Sequence, residues 1–178
     1  LRRIHLAVGV TGAPSRAHLA QSIAHSITRR YTRRARGWET QIGFEPGVIA
    51  GYTWQRMLVN ARAGESSILE LSPYVGIDAG NILTRARVGA SARAGINLSH
   101  PWHMPAWRGR GSVELYALAG VQQSFVARDI SLDGNTFGPD RRVSKVPGVS
   151  EYELGAGFRL WQLRLEYRAT TRGREYRT

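Results

Sequence analysis

The stretch Leu69-Glu70-Leu71-Ser72-Pro73-Tyr74-Val75-Gly76-Ile77-Asp78-Ala79, followed by Thr84-Arg85-Ala86-Arg87-Val88-Gly89-Ala90-Ser91-Ala92-Arg93-Ala94-Gly95-Ile96-Asn97-Leu98, decides the fold of this chain. In the first segment Leu69, Leu71, Pro73, Val75, Ile77 and Ala79 alternate with Glu70, Ser72, Tyr74, Gly76 and Asp78. Successive side chains of a strand point to opposite faces, so a sustained period of two reads as a β-strand with one apolar face. The second segment repeats the pattern with Arg85, Arg87 and Arg93 on its polar face. Working outward, Val113, Leu115, Ala117, Ala119, Val121, Phe125 and Ala127 form a third apolar row. Tyr152, Leu154, Ala156, Phe158 and Leu160 form a fourth, and Leu163, Leu165, Tyr167 and Ala169 a fifth. Weaker rows run through Ile4, Leu6, Val8 and Val10 and through Phe44, Val48, Ala50, Tyr52 and Trp54, so seven strands are predicted.

A soluble sandwich also alternates, but here the polar rows carry Arg and Glu in mid-strand, mixed with Gly and Ser. That mixture suits a narrow lumen crossed by ion pairs, with the apolar rows facing lipid. No stretch approaches the roughly 18 uninterrupted apolar residues of a membrane-spanning helix, so a membrane location requires strands. The expected fold is all-β: a transmembrane antiparallel up-and-down barrel forming a single domain over residues 1–178. Hairpins are expected at residues 60–66, at 78–81 and at Trp161-Gln162, with a long loop at 130–147. Counting strand directions places 78–81, 130–147 and the connection after the first strand on one side. Trp54, Trp102, Trp107 and Trp161 fall near the other, as an interfacial aromatic girdle would.

Lys and Arg number 25 against 13 Asp and Glu, a net charge of +12, and almost all the basic residues are Arg. Arg suits bidentate pairing with carboxylate and phosphate, so an anionic partner is expected. The Arg residues do not cluster on one helix and no nucleic-acid-binding motif is present, which favours phosphorylated lipid over DNA or RNA. The absence of cysteine excludes disulfides and thiolate chemistry. The chain opens inside the strand pattern without a leader, as a processed or truncated sequence would.

Between the first two rows, residues 14–30 read as a helix with Leu19, Ala20, Ile23 and Ile27 on one stripe. His18, Gln21 and His25 lie on the opposite side. An imidazole titrates near neutral pH, so His25 can take a proton from an attacking water, which Gln21, one turn earlier, can orient. The same three residues also fit the plain solvated face of a loop helix. His18 and His25, two turns apart and without thiolate or clustered carboxylate partners, make a poor metal site.

Gly37-Trp38-Glu39-Thr40-Gln41 and Phe44-Glu45-Pro46-Gly47, downstream of a Gln21-x-x-x-His25 helix, resemble the outer-membrane lipid A deacylase (LpxR-like) family. Val8-Gly9-Val10-Thr11-Gly12, Ala127-Arg128-Asp129-Ile130, Leu132-Asp133-Gly134-Asn135-Thr136-Phe137 and residues 172–176 extend the resemblance in order along the chain. It implies a twelve-stranded outer-membrane barrel of a Gram-negative bacterium that removes 3′-linked acyl chains from lipid A. It also implies a Ca²⁺ ion polarising the ester, His25 as general base and Gln21 in the active site. Arg29, Arg30, Arg33, Arg34, Arg141 and Arg142 are offered to the lipid phosphates. Glu39 and Glu45 are candidates for an acidic active-site residue, Glu45 being expected to bind substrate or to be structural. Asp133 and Asn135 read as turn formers that could touch substrate.

The family's Asn-Asp pair, expected to bind the metal, is absent from this sequence, so the metal ligands are unknown. About seven of twelve strands are expected, in a monomer that is inactive as a fragment. A non-enzymatic, porin-like or structural barrel retaining the scaffold is the alternative. A soluble basic β-protein binding nucleic acid is the third reading.

Overall fold

A computed structural model describes residues 1–27, 42–99, 113–136, 138, 143–161 and 163–176. Its strands are β1 (Arg2–Val10), β2 (Pro46–Gln55), β3 (Val59–Ala63), β4 (Ser66–Gly80), β5 (Leu83–Leu98), β6 (Val113–Asp129), β7 (Gly148–Leu160) and β8 (Leu163–Arg172). They form one antiparallel sheet in the order β1-β2-β4-β5-β6-β7-β8, with β3 also on β4. The sheet curls into a half-barrel. No described helix is long and apolar enough to cross a membrane, whereas β4, β5 and β6 are 15, 16 and 17 residues long. A tilted transmembrane strand needs only about 9–11 residues, so each of these strands is long enough to span a bilayer.

Burial is inverted relative to a soluble domain. Ile4 is 81% exposed and Leu154 66%, while Glu114 is 0% exposed, and Glu70, Ser72, Asp78 and Ser124 are buried. The polar rows line the concave face, and each buried charge there is paired, as the low dielectric demands. Glu114 lies 2.9 Å from Arg159 Nε, 3.5 Å from Arg93 Nη1 and 3.7 Å from Arg164 Nη2, and Ser99 Oγ donates to it at 2.8 Å. Arg93 also reaches Glu70 through Nε at 3.0 Å and Nη2 at 2.5 Å. Asp78 accepts from Arg85 at 2.8 Å and Arg87 at 3.2 Å, with His5 Nε2 at 3.3 Å. Tyr116 lies between Arg93 and Arg164, whose guanidinium carbons are 5.3 and 5.7 Å from its ring centroid, and it donates to Glu166. These are the cross-strand ion pairs that the alternation predicts.

Three boundaries differ from the sequence expectation. Residues 59–63, expected within a hairpin connection, form β3, and the turn is confined to Gly64-Glu65. Here β2 and β3 are two parts of one broken strip along β4: Gln55 pairs with Tyr74, Val59 pairs with Leu71, and the break faces Pro73. Arg56 N donates to Pro73 O at 3.1 Å, but Pro73 has no N–H to return, so the ladder lapses there. The β4–β5 turn is Asn81-Ile82, because β4 continues through Gly80. The helix expected from residue 14 begins later: Ala13–Ser15 form a 3-10 turn, Arg16 takes a left-handed conformation (φ 53°), and α1 spans Ala17–Ile27.

The long loop opens with a one-turn helix, α2 (Ile130–Asp133), capped by the Asp129 side chain on Ser131 N. Trp54, near the C-terminal end of β2, and Trp161, in the β7–β8 turn, lie at the same end of the sheet, opposite α1. Trp102 and Trp107 lie outside the described residues.

Candidate functional site

The site is built where three connections meet at one end of the half-barrel. Of residues 17–26 on α1, only Gln21 and His25 are half-buried. Leu19 and Ile23 of the apolar stripe are 47% and 62% exposed, and His18 is exposed. The sheltered side of α1 is therefore the Gln21–His25 side and the apolar stripe is the open one, the reverse of a helix on a soluble core.

The connection bearing α1 leaves β1 and returns to β2 through a narrow neck. Thr11 N donates to Glu45 O at 3.0 Å, and Thr11 Oγ1 donates to Gly43 O at 2.9 Å. Gly12, at φ 74°, lies against Gly43 and Phe44 so closely that a Cβ there would meet their backbone at 2.8 Å. Only glycine fits, for both space and backbone conformation.

Glu45 fills the neck and is 2% exposed. Its carboxylate accepts four hydrogen bonds: from Asn81 Nδ2 at 2.8 Å, Asn135 Nδ2 at 3.2 Å, Thr136 N at 2.6 Å and the Thr136 hydroxyl. Burial alone would raise its pKa, but the hydroxyl and N–H of Thr136, with the Asn81 and Asn135 amides, outweigh this and hold it at about 2. Asn135 also pairs with Gly43 as a strand would, accepting from its N–H at 2.7 Å and donating to its carbonyl at 3.0 Å. Arg128 completes the junction by donating to Asn81 O at 2.5 Å, Gly134 O at 3.1 Å and Thr136 Oγ1 at 2.8 Å.

Asn81, Arg128 and Thr136 have no obvious chemical pattern in the sequence. The signal was there in another form: the segments that meet, Phe44–Gly47 and residues 128–136, lie in stretches that carry much of the resemblance. Asp133 turns away from this junction, accepting from Lys145 Nζ at 2.6 and 2.9 Å and from Asp129 N at 2.8 Å. Burial opposes ionisation of Asp133, but the hydrogen bonds from Lys145 and Asp129 keep its carboxyl below the usual range. Arg29, Arg30, Arg33, Arg34, Glu39, Arg141 and Arg142 lie outside the described residues.

Among the described residues no group of three or more His, Asp or Glu side chains is placed to hold a metal ion. A cavity of about 290 Å³ lies elsewhere on the concave face, lined by Arg3, Glu70, Arg93, Glu153, Glu166 and Arg168 among others, and includes no residue of α1 or the neck.

The family model described as "Outer membrane protein LpxR" matches residues 1–178. Among solved structures, LpxR from Salmonella typhimurium is similar with a TM-score of 0.79 over 99% of this chain, at 20% sequence identity. That likeness shows a shared fold, and this chain spans 62% of the length of that protein. A search of curated proteins returned no match.

Proposed function

The chain belongs to the LpxR family of outer membrane proteins, and from that premise we propose that it is a lipid A 3′-O-deacylase. It hydrolyses ester-linked acyl chains of lipopolysaccharide in the outer leaflet of a Gram-negative outer membrane. The observation that carries the reading is the exposure of α1: over residues 17–26 Gln21 and His25 are the two half-buried positions, while Leu19 and Ile23 are open. A helix with sheltered polar residues and an outward apolar stripe suits the boundary between a barrel rim and acyl chains.

In this reaction the His25 imidazole takes a proton from a water molecule whose oxygen attacks the acyl carbonyl carbon. Gln21 orients that water from one turn earlier on the same side of α1. The tetrahedral intermediate collapses, the ester C–O bond breaks, and the released sugar hydroxyl takes back the proton while the fatty acid departs. Arg29 and Arg30 pair with the lipid phosphates. Glu45, its carboxylate taken up by four protein hydrogen bonds, supports the substrate site by holding its frame. A Ca²⁺ requirement is part of the proposal and rests on the family resemblance.

Expression of the complete gene in a Gram-negative host, with lipid A weighed by mass spectrometry, tests the reading. Loss of one or more acyl masses that is abolished in His25→Ala is expected. Unchanged acylation, or acyl loss that persists in His25→Ala, would refute it. Chelation separates the alternative: the proposed enzyme loses activity in EDTA, whereas a non-enzymatic barrel has none to lose.

A further inference from the structure

The neck that roots α1 is locked from outside by a loop more than 90 residues away in sequence, as the Gly43–Asn135 and Glu45–Thr136 bonds show by their separations of 92 and 91. Three features make this more than a turn. The Asn135 amide presents a donor and an acceptor to both backbone groups of Gly43, substituting for a neighbouring strand. The Glu45 carboxylate is saturated by donors from the β4–β5 turn and the 134–136 loop. Thr11 and Gly12, immediately before the turn leading into α1, are bonded to or packed on the same Gly43–Glu45 segment.

We propose that Glu45, Asn135 and Thr136 are positioning residues that fix the root of α1, and with it His25 and Gln21, against the barrel rim. The neck sets the direction in which α1 leaves the sheet, and a short rigid root is what a helix projecting from a rim needs to hold a side chain in one place. Displacement of a reacting group by about 1 Å can cost about a hundredfold in rate, so loosening the root lowers turnover without removing any group that touches substrate. The catalytic consequence rests on the deacylase reading; the mechanical one does not.

The experiment uses the complete protein in detergent or bilayers. These 178 residues contain no cysteine, and with any cysteine elsewhere in the complete protein replaced by serine, spin labels can be placed at Ala20→Cys on α1 and Thr171→Cys on β8. A narrow label-to-label distance distribution is expected in the parent, broadened in Asn135→Ala and Glu45→Gln. Barrel closure in each variant is checked by heat-dependent gel mobility. Deacylation of purified lipopolysaccharide should show kcat lowered about tenfold to a hundredfold in Asn135→Ala and in Thr136→Val, with KM within about twofold. Thr136→Ser, which keeps the hydroxyl, should restore the parent rate. Distributions that stay narrow in closed barrels overturn the proposal, as does broadening with unchanged kcat. A parent that is inactive on lipopolysaccharide overturns the deacylase reading instead, and the distances alone then decide the mechanical inference.

Discussion

Glu45 carries a sharply defined electrostatic consequence. Its pKa in the folded protein, about 2, lies below its ordinary value of 4.5, so the folded state favours the carboxylate. A depressed carboxyl stabilises the fold above its unfolded pKa, and that contribution is lost as pH falls through the folded one. The junction should therefore be intact from neutral pH to about pH 5 and loosen progressively toward pH 2. Thermal melting in detergent between pH 7 and pH 2 should show a loss of stability in this window that is smaller in Glu45→Gln, already weakened at neutral pH. At His25 the expectation is kinetic. Replacement by alanine should lower kcat roughly 10²–10⁴-fold with little change in folding, as removal of a general base does. Both residues stood out in the sequence, but for Glu45 the sequence left substrate binding and structure as equal options. Its four hydrogen bonds come from residues at positions 81, 135 and 136, and no local pattern could assemble them.

At the level of strands, the concave face is held by charge and by small residues opposite aromatic rings. Gly157 pairs with Tyr116 across β6 and β7, and a Cβ at Gly157 would lie 2.1 Å from the Tyr116 ring. Gly157→Ala must push Tyr116 away from Arg93, Arg164 and Glu166, and it should destabilise the barrel by about 1–3 kcal/mol in urea titrations. Glu114, wholly buried among three Arg residues, should be costlier still. Glu114→Gln removes the carboxylate facing the mostly buried Arg159 and leaves Arg93 with Glu70 alone, for a loss of about 3 kcal/mol. Glu175, whose pair with Arg172 at 2.8 Å is largely exposed, is the contrast. Glu175→Gln should change stability by less than about 1 kcal/mol. The strands and their faces were legible from alternation alone, since a side-chain period of two needs no tertiary information. The break between β2 and β3 was not, because it depends on Pro73 of a neighbouring strand facing that point of the ladder.

For the molecule as a whole, the outward face exposes Ile4, Leu6, Val8, Ile77, Phe125, Leu154, Leu165 and Tyr167, which no aqueous surface of this extent tolerates. The protein should require detergent for solubility. Binding to DNA or RNA with steep salt dependence, together with detergent-free solubility, would instead support the soluble basic reading. The ion pairs spanning β4 to β8 occupy the concave face where a porin keeps water, so planar bilayers containing the complete protein should show no porin-sized conductance steps.

The sequence by itself determined the strands, their inward and outward faces, the inverted burial and the position of the histidine helix. Each of these follows from local periodicity and from the excess of Arg and Glu on one face. Only the tertiary structure decided which side of α1 is sheltered and what anchors it. Curling the sheet brings residues 11–12, 43–45, 81, 128 and 134–136 to one junction, and hydrogen bonds between groups so far apart in the chain leave no periodic trace in it.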